Sequence, residues 1–237
     1  GEAEYMKWIL YVPLAFLSHI YRICLLVRKH MYETNMFKAE RAAIPVISVG
    51  NITLGGTGKT PVVEKLSAKL KEAGFVPGII TRGYGRKSKG TFSVDLKKHT
   101  PRDAGDEAIM LAKRAQVPVV VGINRAQAIA KGIKEFHIDV ALLDDGFQLK
   151  NIKKDMELLV LNGKEDGKNT SLFPLGPYRE PCERICEADA VLVNKGDIGN
   201  KMEDYLKGMP VYRAAYKPAY LYNLKHNLMV HYNFLKG

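Results

Sequence analysis

The chain has 237 residues, 46% of them apolar and 26% charged, an ordinary globular composition that excludes disorder, collagen and coiled-coil arrays. Three cysteines, Cys24, Cys182 and Cys186, are too few and too odd in number for a disulfide framework and indicate a reducing compartment. The formal charge of +11 is concentrated: Arg82, Arg86, Lys87, Lys89, Lys97, Lys98 and Arg102 stand within one stretch against the single acid Asp95. Such a run suits a polyanion, either a phosphorylated substrate or lipid headgroups. No basic motif interleaved with aromatic residues marks a nucleic-acid surface.

Residues 1–43 read as an interfacial helix and linker, with Met6 as the expected natural start. From Trp8 to Leu17 the chain carries no charge, after which Ser18, His19 and Arg22 interrupt it. A bilayer-spanning helix needs about 20 apolar residues, so this segment reads as too short to cross. Leu10, Leu14, Leu17, Tyr21 and Cys24 recur at helical spacing, and Lys7, Arg22, Arg28, Lys29 and His30 flank them. An apolar stripe with basic flanks predicts an amphipathic helix lying on an anionic membrane surface; the alternative is a helix packed on the domain core.

From residue 44 strands and helices alternate. Strands are expected at 44–49, 78–81, 117–121, 138–143, 156–161 and 190–193, with helices at 60–73, 106–115 and 125–136. Apolar strands separated by helices imply crossover connections and a mostly parallel α/β sheet covered on both faces, occupying 44–208. The tyrosine-rich tail 209–237, with Tyr212, Tyr216, Tyr220, Tyr222 and Tyr232, reads as strands without helices and the beginning of a second module.

The run Gly50-Asn51-Ile52-Thr53-Leu54-Gly55-Gly56-Thr57-Gly58-Lys59-Thr60 sits between an expected strand and an expected helix, the context that a phosphate-binding loop requires. Glycines let backbone N–H groups turn inward around phosphate oxygens, and the helix N-terminus adds partial positive charge. Lys59 is placed to neutralise β- and γ-phosphates and the Thr60 hydroxyl to ligate Mg²⁺. The strict pattern wants glycine where this chain has Thr53; Gly55 and Gly56 supply the flexibility instead. Downstream, Val140-Ala141-Leu142-Leu143-Asp144-Asp145 is an apolar strand ending in carboxylates, suited to hold the metal beside Thr60. Asn194-Lys195-Gly196-Asp197 after another strand matches the guanine-reading pattern of GTPases, which leaves a membrane-associated GTPase switch as a competing reading.

Seven ordered blocks, PVISVGNITLGGTGKTP, TRGYGRKSKG, GDEAIMLA, PVVVGINRAQA, LLDDGFQ, FPLGPYREP and ADAVLVN, resemble the tetraacyldisaccharide 4′-kinase family. The resemblance implies a P-loop fold preceded by a membrane-surface helix. It also implies a monomeric enzyme at the cytoplasmic face of the bacterial inner membrane, bound to anionic lipid. With ATP and Mg²⁺ it would phosphorylate the 4′-hydroxyl of an acylated glucosamine disaccharide 1-phosphate, a lipid A precursor. Carried over by position, Asp106 corresponds to the proposed general base and Lys59 and Arg179 act on the phosphoryl group. Thr53, Gly55, Gly56, Thr57, Gly58, Lys59, Thr60 and Gln148 hold nucleotide. Thr60, Asp144, Asp145 and Glu180 surround the metal, and Arg82, Tyr84 and Asn51 contact substrate. Two departures stand out: Leu149 replaces the family histidine after Gln148, and the family continues beyond this point into a second domain bearing another histidine. They raise the alternative of a nucleotide-binding piece with impaired turnover.

Overall fold

Short β-branched runs joined by amphipathic helices can hide their apolar side chains only as a sheet with helices on both sides. The computed structural model, which describes residues 2–163, 167, 169–215, 220–223 and 228–231, has this architecture. Helix α1 (Glu2–Glu33) leads into β1 (Val46–Gly50), α2 (Lys59–Glu72), β2 (Pro77–Thr81) and β3 (Phe92–Ser93). Next come α3 (Pro101–Ala104), α4 (Asp106–Arg114), β4 (Val119–Val121), α5 (Arg125–Phe136), β5 (Val140–Asp144) and β6 (Met156–Asn162). A 3₁₀ turn (Cys182–Glu187), β7 (Ala190–Asn194), α6 (Asn200–Glu203) and β8 (Val211–Ala214) complete the main body, and β9 (Tyr220–Asn223) pairs with β10 (Leu228–His231) as an antiparallel hairpin.

The eight-stranded sheet has the order β3-β4-β2-β5-β1-β6-β7-β8, parallel throughout except for the β3–β4 pair. Alternate residues face opposite layers, as strand geometry demands. Ile79, Leu142, Leu158 and Val160 join the core under α2 and α4, whereas Ile80, Ala141 and Leu143 pack under α5. Leu159, Leu161, Val191 and Val193 pack with Phe147, Ile185 and Leu25 of α1. Helix α5 is started by the Asn124 side chain, which accepts from the Gln127 N–H at 3.1 Å, satisfying one of the unpaired first-turn amides.

Two expectations change. Strand β8 lies beyond the boundary expected at 208/209, because Val211–Ala214 hydrogen-bonds in parallel register with β7 and completes the main sheet; Tyr216 and Tyr232 lie outside the described residues. In α1 the faces differ from the expected stripe. Ser18, Tyr21, Leu25 and Arg28 point inward onto the domain, whereas Leu17 and Cys24 are exposed. The side chains of Lys7 and Leu10 lie outside the described residues. The outward face carries Val12, Phe16, Ile20, Ile23 and Val27, with Phe16 66% exposed. Residues Tyr11–Glu33 are long and apolar enough to cross a membrane by length and composition, although the inner face packs on the protein.

Candidate active site

The parallel strands β1, β2 and β5 end on the same edge, where crevices of open α/β sheets bind ligands. The phosphate loop leaves β1 there. Gly55 and Gly58 adopt φ of 108° and 88°, left-handed backbone that side-chain-bearing residues rarely tolerate, and Gly58 hands the chain to α2 as its N-cap. A cleft of about 490 Å³ opens beside this turn, lined by Gly55, Lys59, Thr81, Arg82, Tyr84, Glu107, Arg125, Asp144, Asp145, Gln148, Leu149 and Arg179.

Charge in the cleft is organised around Asp145, itself held at φ 58°. Lys59 Nζ lies 3.2 Å from Asp145 Oδ1, and the Arg179 guanidinium donates to both carboxylate oxygens, at 3.0 and 2.8 Å. Burial works to raise the Asp145 carboxyl, but the Arg179 hydrogen bonds and the Lys59 charge hold it below its ordinary value. Neighbouring Asp144, 3% exposed, forms no salt bridge among the described residues, Lys59 and Arg179 pairing with Asp145 instead. Burial, then the charges of Glu107 and Asp145, push its pKa up to about 7, with Lys59 and the Thr81 hydroxyl, 3.4 Å away, opposing. A buried carboxylate without a partner charge is costly, and a divalent cation would relieve that cost. Thr60, Asp144 and Asp145 offer the hard oxygen donors that Mg²⁺ takes, typically together with phosphate oxygens and water. The residues therefore fit a magnesium nucleotide: flexible glycines for phosphate oxygens, the cations Lys59 and Arg179 paired with Asp145, and the buried carboxyl of Asp144. The buried Thr57 hydroxyl has no hydrogen-bond partner among the described residues.

The structure redistributes several expected roles. Asn51 is fully buried and does not line the cleft. Its amide oxygen accepts from Lys59 Nζ at 3.1 Å and from the Arg179 guanidinium, its nitrogen donates to Thr53 O, and its carbonyl accepts from Gln148 Nε2 at 2.7 Å. It is an internal hydrogen-bonding hub that ties Lys59, Arg179 and Gln148 together. Thr53 is likewise buried and pairs with Tyr178. Glu180, expected at the metal, faces the other way: Arg28 reaches it at 2.9 Å and Arg184 at 2.6 Å, and two guanidiniums leave that carboxylate already neutralised.

Arg82 and Tyr84 line the cleft, with Tyr84 83% exposed. Asp106 heads α4 just after Gly105, whose φ of 93° and close approach to Tyr84 O, 2.6 Å from where a Cβ would sit, leave room only for glycine. The turn sets the exposed Asp106 after the close approach of Gly105 to Gly83 and Tyr84, but Asp106 does not line the cleft, whereas its neighbour Glu107 does.

Arg125 and Glu107 were not among the expected site residues, yet both line the cleft. Burial, then the Arg82 charge, lowers the Arg125 guanidinium to about 10. Its presence in GINRAQA was visible, but its inward aim depends on the α5 start. The guanine-reading pair does not converge. Asn194 is buried and donates to Thr57 O at 3.0 Å, whereas the Asp197 side chain is 87% exposed beside Arg213.

A family profile described as tetraacyldisaccharide-1-P 4′-kinase matches residues 10–235. Among curated relatives, a tetraacyldisaccharide 4′-kinase of Shewanella sediminis is 42% identical over 180 residues, 76% of this chain and 53% of that protein. One of Methylobacillus flagellatus is 39% identical over 180 residues, again 76% of this chain and 53% of that protein. Among solved structures, the apo-form LpxK of Aquifex aeolicus crystallised in complex with ATP superposes with a TM-score of 0.78 at 31% identity, covering 96% of this chain and 71% of that one. The chain spans about half the length of the curated relatives it matches.

Proposed function

This chain belongs to the tetraacyldisaccharide-1-P 4′-kinase family, and from that membership we propose that its protein transfers the γ-phosphate of ATP to the 4′-hydroxyl of a tetraacylated glucosamine disaccharide 1-phosphate, a step in making lipid A. The observation that carries this reading is the junction of two half-sites in one cleft. Gly55, Lys59 and Arg179 on the phosphate side share that cleft with Arg82 and Tyr84, and Asp106 heads α4 one residue before the cleft-lining Glu107.

Phosphoryl transfer asks the protein mainly to position reactants and to offset charge on the transferred group. Lys59 and Arg179 exchange Asp145 for phosphate oxygens, and Asn51 keeps both cations aimed while they do so. Asp106 accepts the proton of the sugar hydroxyl as the new phosphorus–oxygen bond forms. Thr60, Asp144 and Asp145 would hold Mg²⁺, which, when bound, screens charge between the β- and γ-phosphates. Arg82 and the basic stretch from Arg86 to Arg102 face the substrate's anionic groups. Arg125, buried and without a carboxylate salt bridge among the described residues, adds positive potential where the phosphoryl group passes.

The outer apolar face of α1 is the proposed contact with the cytoplasmic side of the inner membrane, with Arg22 and His30 exposed at the headgroup level. An acylated substrate keeps its chains in the bilayer, so a surface-bound enzyme needs to reach only the sugar. The proposed division is a helix and linker over 1–43, a nucleotide-binding domain from 44 through β8, and a hairpin β9–β10 that opens the second module. Transfer of labelled γ-phosphate from ATP to the lipid disaccharide, compared with GTP as donor, tests the reading; a strong preference for GTP would refute it.

A further inference from the structure

Residues 171–180 are held between helix α1 and the phosphate loop. On the loop side, Leu54 N–H donates to Pro177 O at 2.6 Å, Arg179 N–H to Ile52 O at 2.7 Å, and Thr53 bridges Tyr178 in antiparallel fashion. On the helix side, Ser18 Oγ donates to Leu172 O, Tyr21 Oη to Arg179 O and Arg28 Nη2 to Glu180 Oε1, each at 2.9 Å. The Tyr21 ring meets Phe173 edge-on, 6.2 Å between centroids, and Leu25 shares a core cluster with Leu172 and Tyr178.

The same residue is therefore gripped at both ends. The Arg179 guanidinium enters the cleft and binds Asp145 and Asn51, while its carbonyl oxygen is fixed by a hydroxyl from α1. The next residue, Glu180, is 1% exposed, and a carboxylate that deep holds its place only while its arginines do. Displacing a phosphate-binding group by about 1 Å can cost on the order of 10²-fold in rate, so whatever fixes this backbone governs the guanidinium.

We infer that Tyr21 and Arg28 are positioning residues that act through Arg179: the seating of α1 on segment 171–180 sets the arginine's place at the transferred phosphoryl group. The inference rests on the kinase reading above and links the proposed membrane-contact helix to nucleotide handling.

A double-mutant cycle tests it in the protein over its whole natural length. Tyr21→Phe keeps the ring and its packing and deletes only the hydroxyl. Arg28→Lys keeps the charge. The pair Arg28→Met with Glu180→Gln removes both charges, which avoids an unpaired buried carboxylate. Each is made alone and in an Arg179→Ala background, with ATP affinity read by calorimetry and kcat and lipid KM read in vesicles containing the acylated disaccharide 1-phosphate.

The expected result is a roughly tenfold loss of kcat and of ATP affinity for Tyr21→Phe, an unchanged lipid KM, partial retention in Arg28→Lys, and no further loss once Arg179 is alanine. Losses that add in full to that of Arg179→Ala would overturn the inference. So would variants that raise only the lipid KM or lower vesicle partitioning while ATP affinity and kcat stay at wild-type values. The two ideas separate: a wild type that binds ATP but phosphorylates no lipid refutes the kinase reading, and the calorimetric cycle still decides the positioning role.

Discussion

Arg179 clasps Asp145 with two nitrogens, at 3.0 and 2.8 Å, on the same carboxylate that Lys59 approaches to 3.2 Å. The carboxylate thus occupies cations suited to a phosphoryl group, and on the proposed reading nucleotide binding exchanges one anion for another. Removing Lys59 eliminates one charge-assisted contact, worth about 1.5–3 kcal/mol. Lys59→Ala is expected to weaken ATP binding by roughly 10- to 150-fold at 1.4 kcal/mol per decade, as measured by calorimetry.

Asp144 gives the site a pH signature. Its folded pKa of about 7 lies above the ordinary 3.8, so the folded state holds a proton that the unfolded chain releases. Its contribution to stability is fully present below about pH 4 and is lost as pH rises through 7. Asp144→Asn is therefore expected to raise the melting temperature of nucleotide-free protein by several degrees at pH 8, the gain narrowing as pH falls toward 4. Magnesium binding, which needs the ionised carboxylate, is expected to strengthen over the same interval in wild type. Thermal scans from pH 4 to 8, with and without the cation, check both trends.

Asp106 heads α4 next to the cleft-lining Glu107 and takes no part in the ion pairs of Lys59 and Arg179 with Asp145. Asp106→Asn keeps shape and removes the proton acceptor, so kcat is expected to fall by about 10²–10⁴-fold with ATP affinity within a few-fold of wild type. Single-turnover kinetics at saturating nucleotide separates these quantities.

The outer face of α1 makes a further prediction. Phe16→Glu combined with Ile23→Glu places charge on the exposed apolar stripe and leaves Ser18, Tyr21 and Arg28 untouched. The double variant is expected to move from vesicles to the supernatant in flotation assays while its calorimetric ATP affinity is unchanged. Retention on vesicles would assign that face to another partner.

Much of this was readable from local pattern. Gly50–Thr60, the Asp144–Asp145 strand end and the 125–136 helix follow from spacing and residue type, which are local properties, and all three stand as expected. Roles decided by long-range packing were not readable. Asn51 looks like a ligand contact in sequence, yet it is buried by the approach of Gln148 and Arg179, far along the chain. Glu180 turns from metal to Arg28 because helix α1, distant in sequence, brings a guanidinium to it. The inward face of α1 is partly polar, with Ser18 and Arg28 bonded to the 171–180 segment, and hydrophobic periodicity alone cannot register that. Strand β8 reads as tail because its four residues are mostly exposed at a sheet edge.

The most direct measurement is phosphate transfer itself: γ-labelled ATP, magnesium and tetraacyldisaccharide 1-phosphate in mixed vesicles, with the product's phosphate position read by NMR. A new phosphomonoester at the 4′ carbon, formed about 10²–10⁴-fold more slowly in Asp106→Asn, is the predicted result. Label appearing only as free phosphate, at equal rates with and without the lipid, would contradict it.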